Sequence, residues 1–161
     1  LSRLLSLFNK LKISLVSPAA LRMPSDVVAD LRKAGHAVLE TDTLEQGIAD
    51  VDIVYSTRIQ EERFANREEA DSYRGRFRLN QNIYTATCEP NTVIMHPLPR
   101  DSREGARELD TDLNDNPNLA IFRQSDNGVL VRMALFALIL DVVDRVDKYS
   151  SSVNWYTESR F

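Results

Sequence analysis

Apolar positions recur along the chain in short blocks, and their spacing alternates between helical and strand-like. Leu1, Leu4, Leu5, Leu7, Phe8 and Leu11 fall at helical spacing and predict a helix over about 1–10. Ile13 to Val16 reads as a buried strand, stopped by Ser17-Pro18. Met23-Pro24-Ser25 opens a helix, with proline near the first turn, where its missing N–H costs nothing. Val27, Val28 and Leu31 supply that helix's apolar face, and Gly35 stands where a C-terminal cap is wanted. His36 to Glu40 predicts a second strand, and Asp42 with Glu45 is a capping-box signature for a helix at 43–50.

Val51 to Tyr55 predicts the third strand. From Thr57 to about Arg78 the chain is charged and irregular, too long for a plain connector, and long loops in compact domains often act as lids. Thr92 to Met95 predicts a fourth strand, ended by His96-Pro97-Leu98-Pro99, and Asn118 to Phe122 a last one. Ser125-Asp126 then reads as the cap of a long helix over 127–148, apolar on most faces and hence expected to be largely buried. Strands separated by helix-length segments predict an α/β fold, a three-layer αβα arrangement with a mostly parallel sheet. The expected division is a domain over 1–148 and an irregular tail over 149–161.

Composition narrows the function classes. The 161 residues are 43% hydrophobic and 27% charged, enough apolar material for a core and unlike a disordered tail. A formal net charge of -4 implies no basic face for nucleic acid. The longest apolar run, Met133 to Leu140, is far short of the ~20 residues of a membrane span. The single Cys88 excludes an internal disulfide and fits a reducing, cytoplasmic setting. With no initiator Met and a start inside an amphipathic pattern, the chain reads as a piece of something longer.

Ligands of open parallel sheets bind beyond the carboxyl ends of the strands. Three segments fall there: Ser17-Pro18, Ser56 to Gln60, and His96 to Arg100. Glycine-rich phosphate loops and metal-binding spacings are absent, so side chains and exposed backbone must hold any ligand. Arg58 at a strand end suits bidentate recognition of a carboxylate or phosphate, with Gln60 adding an amide; the alternative is a surface pair with Glu61 or Glu62. Pro97 and Pro99 end the strand and leave carbonyls around Pro97 and Leu98 free to accept from an amine or amide. The alternative there is a rigid turn, with His96 structural rather than a general base. His36 reads as incidental, and Cys88 lies in a polar loop without partners for chemistry.

Thr57 to Phe64 resembles the TRxQxER segment of aspartate carbamoyltransferases, and His96-Pro97-Leu98-Pro99-Arg100 matches that family's HPLPR loop. Phe122-Arg123-Gln124 with Asn127-Gly128 and Arg132 to Leu135 is similar to its FRQxxNGxxxRMAL helix, and Ser17-Pro18 and Leu21 to Pro24 also fit. Ornithine enzymes typically carry cysteine at the position of Pro97, so the resemblance favours aspartate. It covers about 1–148 and only the aspartate-binding half. The carbamoyl-phosphate domain with its Ser-Thr-Arg-Thr loop, the carbonyl-polarising histidine, a neighbouring subunit's lysine and the RTVHS arginine all lie elsewhere.

The resemblance implies transfer of a carbamoyl group from carbamoyl phosphate to L-aspartate in pyrimidine synthesis, with no cofactor and no metal. It assigns Arg58 to the aspartate side-chain carboxylate and Gln60 to the amino-acid end. The Pro97 and Leu98 carbonyls fall to the carbamoyl –NH2 and the attacking amine, with His96, Pro99 and Arg100 supporting the loop. The implied partners are the carbamoyl-phosphate-binding domain and a homotrimer of catalytic chains, and the segment near 61–78 corresponds to a mobile loop. Two departures stand out: Glu61 where the family usually has lysine, and an unusually long stretch from Asp101 to Pro117. They support the alternative of a non-catalytic amino-acid-binding or assembly module of the same fold.

Overall fold

Strand β1 (Lys12–Val16) runs parallel to β2 (Ala37–Thr41), with Lys12 opposite Ala37 and Val16 opposite Thr41. The crossover between them is α2 (Ser25–Lys33), which lays Val28 and Leu31 inward. Pro24 precedes its first turn, and Gly35 follows it at φ +88°, a left-handed conformation that glycine adopts without steric cost. A second parallel pair joins β3 (Ile53–Tyr55) to β4 (Val93–Met95), and Ile94 bridges on to Leu119. The molecule is α/β with parallel strands, held as two separate pairs. This computed structural model describes residues 1–146, 148 and 151.

Helix α3 (Leu44–Ile48) sits hard against the first pair. A Cβ on Gly47 would lie 2.0 Å from the Val16 side chain and 3.3 Å from Thr41, so only glycine permits this approach. The Asp42–Glu45 capping box does not form: Thr43 is the N-cap, and its N–H is satisfied by Thr41 Oγ1 at 3.1 Å. The N-terminal helix is also shorter than expected, with α1 confined to Ser2–Leu5 and Leu4, Leu7 and Phe8 exposed. A pattern this short, with no buried residue, lacks the packing that stabilises helices in water.

The charged segment is ordered into a 3-10 turn at Glu61–Arg63 and helix α4 (Arg67–Ser72), capped by the Asn66 side chain accepting the Glu69 N–H at 2.8 Å. Phe64 and Tyr73 stack across it, ring centres 5.6 Å apart. Helix α5 (Gln81–Thr87) is capped by Asn80 and carries Cys88 at its end, half-buried, where burial raises the thiol pKa. Tyr84 ties α5 to the second strand pair by donating to the Thr92 carbonyl at 2.7 Å. The core gathers around this pair: Val54 and Ile94 with Ile48, Leu79, Leu109, Leu113 and Ile121.

The fifth strand reduces to the single bridge at Leu119, because Ile121 already starts helix α6 (Ile121–Ile139). Ser125 and Asp126 therefore lie inside the helix, whose first turn is closed by the Gln124 N–H on the Ala120 carbonyl at 2.8 Å. The helix stops at Ile139, well short of 148, and Asp141 takes a left-handed φ of +53°. Two compact units result, Leu1–Gln124 and Ser125–Phe161. In the second unit Val129, Leu130, Met133, Phe136, Leu138 and Ile139 are exposed, contrary to the expected burial. An apolar stripe is buried only where another element covers it, and within this unit no described element covers these side chains. The expected tail over 149–161 lies outside the described residues apart from Ser151. Among the described residues no helix is long and apolar enough to cross a membrane.

Candidate active site at the ends of the second strand pair

Because β3 and β4 are parallel and adjacent, with Tyr55 opposite Met95, the segments that follow them leave the sheet side by side. The Ser56 N–H donates to the Met95 carbonyl at 2.9 Å and carries the pairing one residue further. Thr57 to Gln60 and His96 to Arg100 thus start from one sheet edge, the carboxyl edge where open α/β sheets present ligands. Ser17-Pro18 follows β1, in the other strand pair.

Arg58 is half exposed and forms a bidentate pair with Glu62, its two terminal nitrogens 2.9 and 3.3 Å from the carboxylate. Glu62 is held below its ordinary carboxylate pKa, first by its own backbone N–H and then by Arg58. Gln60 is half-buried and leads into the 3-10 turn, its carbonyl accepting the Arg63 N–H at 3.0 Å. The turn places Glu62 next to the guanidinium, so the surface-pair geometry is realised with Glu62 and not with Glu61.

Glu61 instead faces Arg74 and Arg103. Its carboxylate accepts from Arg74 at 3.1 and 3.2 Å and from Arg103 at 3.0 and 2.9 Å. Those hydrogen bonds, Arg74's first, lower its pKa from 4.5 to about 2. Arg103 also grips Asp101, whose pKa falls from 3.8 to about 2 for that reason. Glu61 is therefore matched by an arginine from the stretch after Arg100. Glu61 and Arg103 are a complementary pair that joins the charged segment to the stretch from Asp101 to Pro117.

The His96–Arg100 segment is braced from several directions. His96 is buried at 1% exposure, and its backbone N–H donates to Gln124 Oε1 at 3.0 Å. On the ring, Nδ1 accepts the Leu98 N–H at 2.8 Å and Nε2 lies 2.6 Å from Glu108 Oε1. Leu98 has φ +52°, and the Leu98–Pro99 bond is cis. Arg100 donates to the Asp110 carbonyl at 3.3 Å and to Asn114 Oδ1 at 2.9 Å. Pro97 and Pro99 are exposed, Leu98 is half-buried against the core, and no described residue donates to the Pro97 or Leu98 carbonyl.

Two carboxylates beneath the loop are buried. Burial pushes the Glu108 carboxyl up, but hydrogen bonds from His96 and from the backbone N–H groups of Glu108 and Asp101 outweigh it, leaving it below its ordinary value. Asp110 is held low in the same way, burial being overcome by Arg78 and the Thr111 N–H. Glu108 and Gln124 are contributions that sequence reasoning did not reach. Gln124 stood in a quoted motif without a role, and Glu108 sat in an unpatterned polar stretch. Among the described residues no cluster of three or more His, Cys, Asp or Glu has metal-binding geometry.

The chain is 70% identical over 160 residues to an aspartate carbamoyltransferase catalytic subunit from Cellvibrio japonicus, covering 99% of this chain and 47% of that protein. It superposes on the catalytic subunit of M. jannaschii aspartate transcarbamoylase with a TM-score of 0.73 at 34% identity, covering 86% of this chain and 44% of the other. Aspartate transcarbamoylase from Trypanosoma cruzi, solved with N-(phosphonacetyl)-L-aspartic acid, matches with a TM-score of 0.65 at 31% identity, over 79% and 39% of the two chains. The chain spans about half the length of the curated relatives it matches. Residues 1–139 match the family described as aspartate/ornithine carbamoyltransferase, Asp/Orn binding domain, and the chain belongs to that family.

Proposed function

We propose that this chain is the L-aspartate-binding domain of an aspartate carbamoyltransferase. Its parent transfers the carbamoyl group of carbamoyl phosphate to the aspartate amine, giving N-carbamoyl-L-aspartate and phosphate in pyrimidine synthesis. One observation carries the reading: an arginine with an exchangeable carboxylate partner, and two carbonyls to which no described residue donates, leave adjacent strands at one sheet edge. The solved relative that binds a phosphonacetyl derivative of aspartate supports the same substrate class.

Arg58 leaves Glu62 and takes the side-chain carboxylate of aspartate through two parallel hydrogen bonds. Gln60 meets the amino-acid end. The Pro97 and Leu98 carbonyls accept from the carbamoyl –NH2 and from the amine, aiming the nitrogen lone pair at the carbonyl carbon. The C–N bond forms as the C–O bond to phosphate breaks, and the amine proton leaves with the phosphate. Rate enhancement comes from fixing the two reactants together and from donors aimed at the developing oxyanion. Those donors belong to a carbamoyl-phosphate-binding domain, so the parent joins both halves, assembles as a trimer of catalytic chains and works in the cytoplasm.

The test joins the chain to its carbamoyl-phosphate-binding half and measures binding of N-(phosphonacetyl)-L-aspartic acid. Arg58→Ala should weaken binding about 10- to 100-fold, the value of a charge-assisted bidentate pair, with the melting temperature unchanged. Undiminished binding by Arg58→Ala would refute the assignment. The 161-residue chain by itself should transfer no carbamoyl group.

A further inference from the structure

Glu108 is almost fully buried, yet among the described residues no arginine or lysine pairs with it. A buried carboxylate is expensive unless every lone pair is used, and apolar replacements of such groups are often as stable. Its neighbours are all N–H donors. Oε1 lies 2.6 Å from His96 Nε2, and both oxygens accept the Asp101 N–H, at 3.2 and 3.3 Å. Such an arrangement serves orientation more than stability.

The oriented group is the His96 ring. Nδ1 accepts the Leu98 N–H, so the ring hydrogen sits on Nε2 and donates to Glu108. Leu98 N–H belongs to the same peptide plane as the Pro97 carbonyl. That bond is trans, and in a trans peptide the N–H and C=O point in opposite directions. Pinning the N–H inward on His96 therefore turns the Pro97 carbonyl outward. With hydrogen on Nδ1 instead, two donors would face each other and the peptide would have to turn. Leu98, a non-glycine residue at positive φ, persists there only because its surroundings over-determine it.

We infer that Glu108 is a positioning residue: by accepting from His96 Nε2 it selects the ring tautomer that aims the Pro97 carbonyl out of the loop. The inference rests on the proposed aspartate site, since it gives that carbonyl its task. It also gives the stretch from Asp101 to Pro117 a consequence, because that stretch carries Glu108 beneath the loop.

The test has two readouts on the chain joined to its carbamoyl-phosphate-binding half. Ring 15N shifts of His96 should show a protonated Nε2 and an unprotonated Nδ1 in the wild type. In Glu108→Gln the amide donates to Nε2 in part of the population, so the Nδ1–H form should appear. The KM for aspartate should rise about tenfold, while Glu108→Asp, which keeps an acceptor, restores the tautomer and most of the affinity. Ile94→Val, which removes a buried methylene of the same core, should lower stability without moving KM. A wild-type ring protonated on Nδ1, or Glu108→Gln with unchanged tautomer and unchanged KM, overturns the inference. The wild-type shift measurement stands even if Glu108→Gln fails to fold. If the joined wild type neither binds aspartate nor turns over, the functional reading falls, while the shifts still decide the tautomer.

Discussion

Replacing Glu61 by glutamine removes one charge from a carboxylate that two guanidiniums share, and keeps its shape. Four hydrogen bonds of 2.9 to 3.2 Å converge on that carboxylate, which is 22% exposed. A fall in pKa from 4.5 to about 2 corresponds to at most ~3 kcal/mol of stability. Solvent on the open side and the exposure of Arg103 screen the network, so about 1–2 kcal/mol is the expected loss. For a chain of this size that lowers the melting temperature by roughly 2–8 °C. Since the folded pKa lies below the unfolded one, the contribution is complete above pH 4.5 and drains as pH falls toward 2. Thermal unfolding followed by circular dichroism should therefore show a gap between wild type and Glu61→Gln at pH 7, with less than half of it left at pH 3. Asp101 also titrates low and shares Arg103 with Glu61, so repeating the comparison in an Asp101→Asn background separates its part from that of Glu61. Arg103→Ala should lose much of the same energy, making the double variant less destabilised than the two singles added. A gap of equal size at pH 3 and pH 7, or strict additivity, would show that the network contributes nothing.

Two core predictions are separate from the site. Gly47→Ala should destabilise by about 1–2 kcal/mol in urea unfolding despite its better helix propensity, because the new methyl collides with Val16. Val16→Ala in the same chain should recover part of that loss, and no recovery would mean the contact is misjudged. Ile94→Ala, at a fully buried position of β4, should cost about 2–5 kcal/mol; a cost under 1 kcal/mol would place Ile94 outside the core.

The sequence was most readable where an apolar block stands between breakers. Ile13 to Val16 before Pro18 and Thr92 to Met95 before Pro97 each became a strand at nearly those limits. Helix α5 escaped because Gln81–Thr87 offers only Ile83 and Tyr84 to the core, too few to show a period, and its Asn80 cap stands in a polar run. Helix α6 was misplaced for the opposite reason. Ser125-Asp126 has the chemistry of a cap, but one bridge at Leu119 satisfies the sheet and frees Ile121 to begin the helix. At the candidate site, Arg58 and the proline-rich loop were visible because each lies at the end of a strand. The His96–Glu108 pair was not, since nothing local links residues twelve apart across an irregular stretch.

The Glu62 carboxylate resting on Arg58 makes anion capture an exchange reaction rather than a simple addition. Any incoming carboxylate inherits a contact that already exists, so the pair broken with Glu62 offsets part of the guanidinium's electrostatic gain, and the roughly 10- to 100-fold expected of Arg58 is what remains after that exchange. Discrimination then falls to whichever atoms of the newcomer have no internal substitute. Added salt weakens the outgoing and incoming pairs alike, which makes the affinity at this arginine less sensitive to ionic strength than capture by a free guanidinium would be.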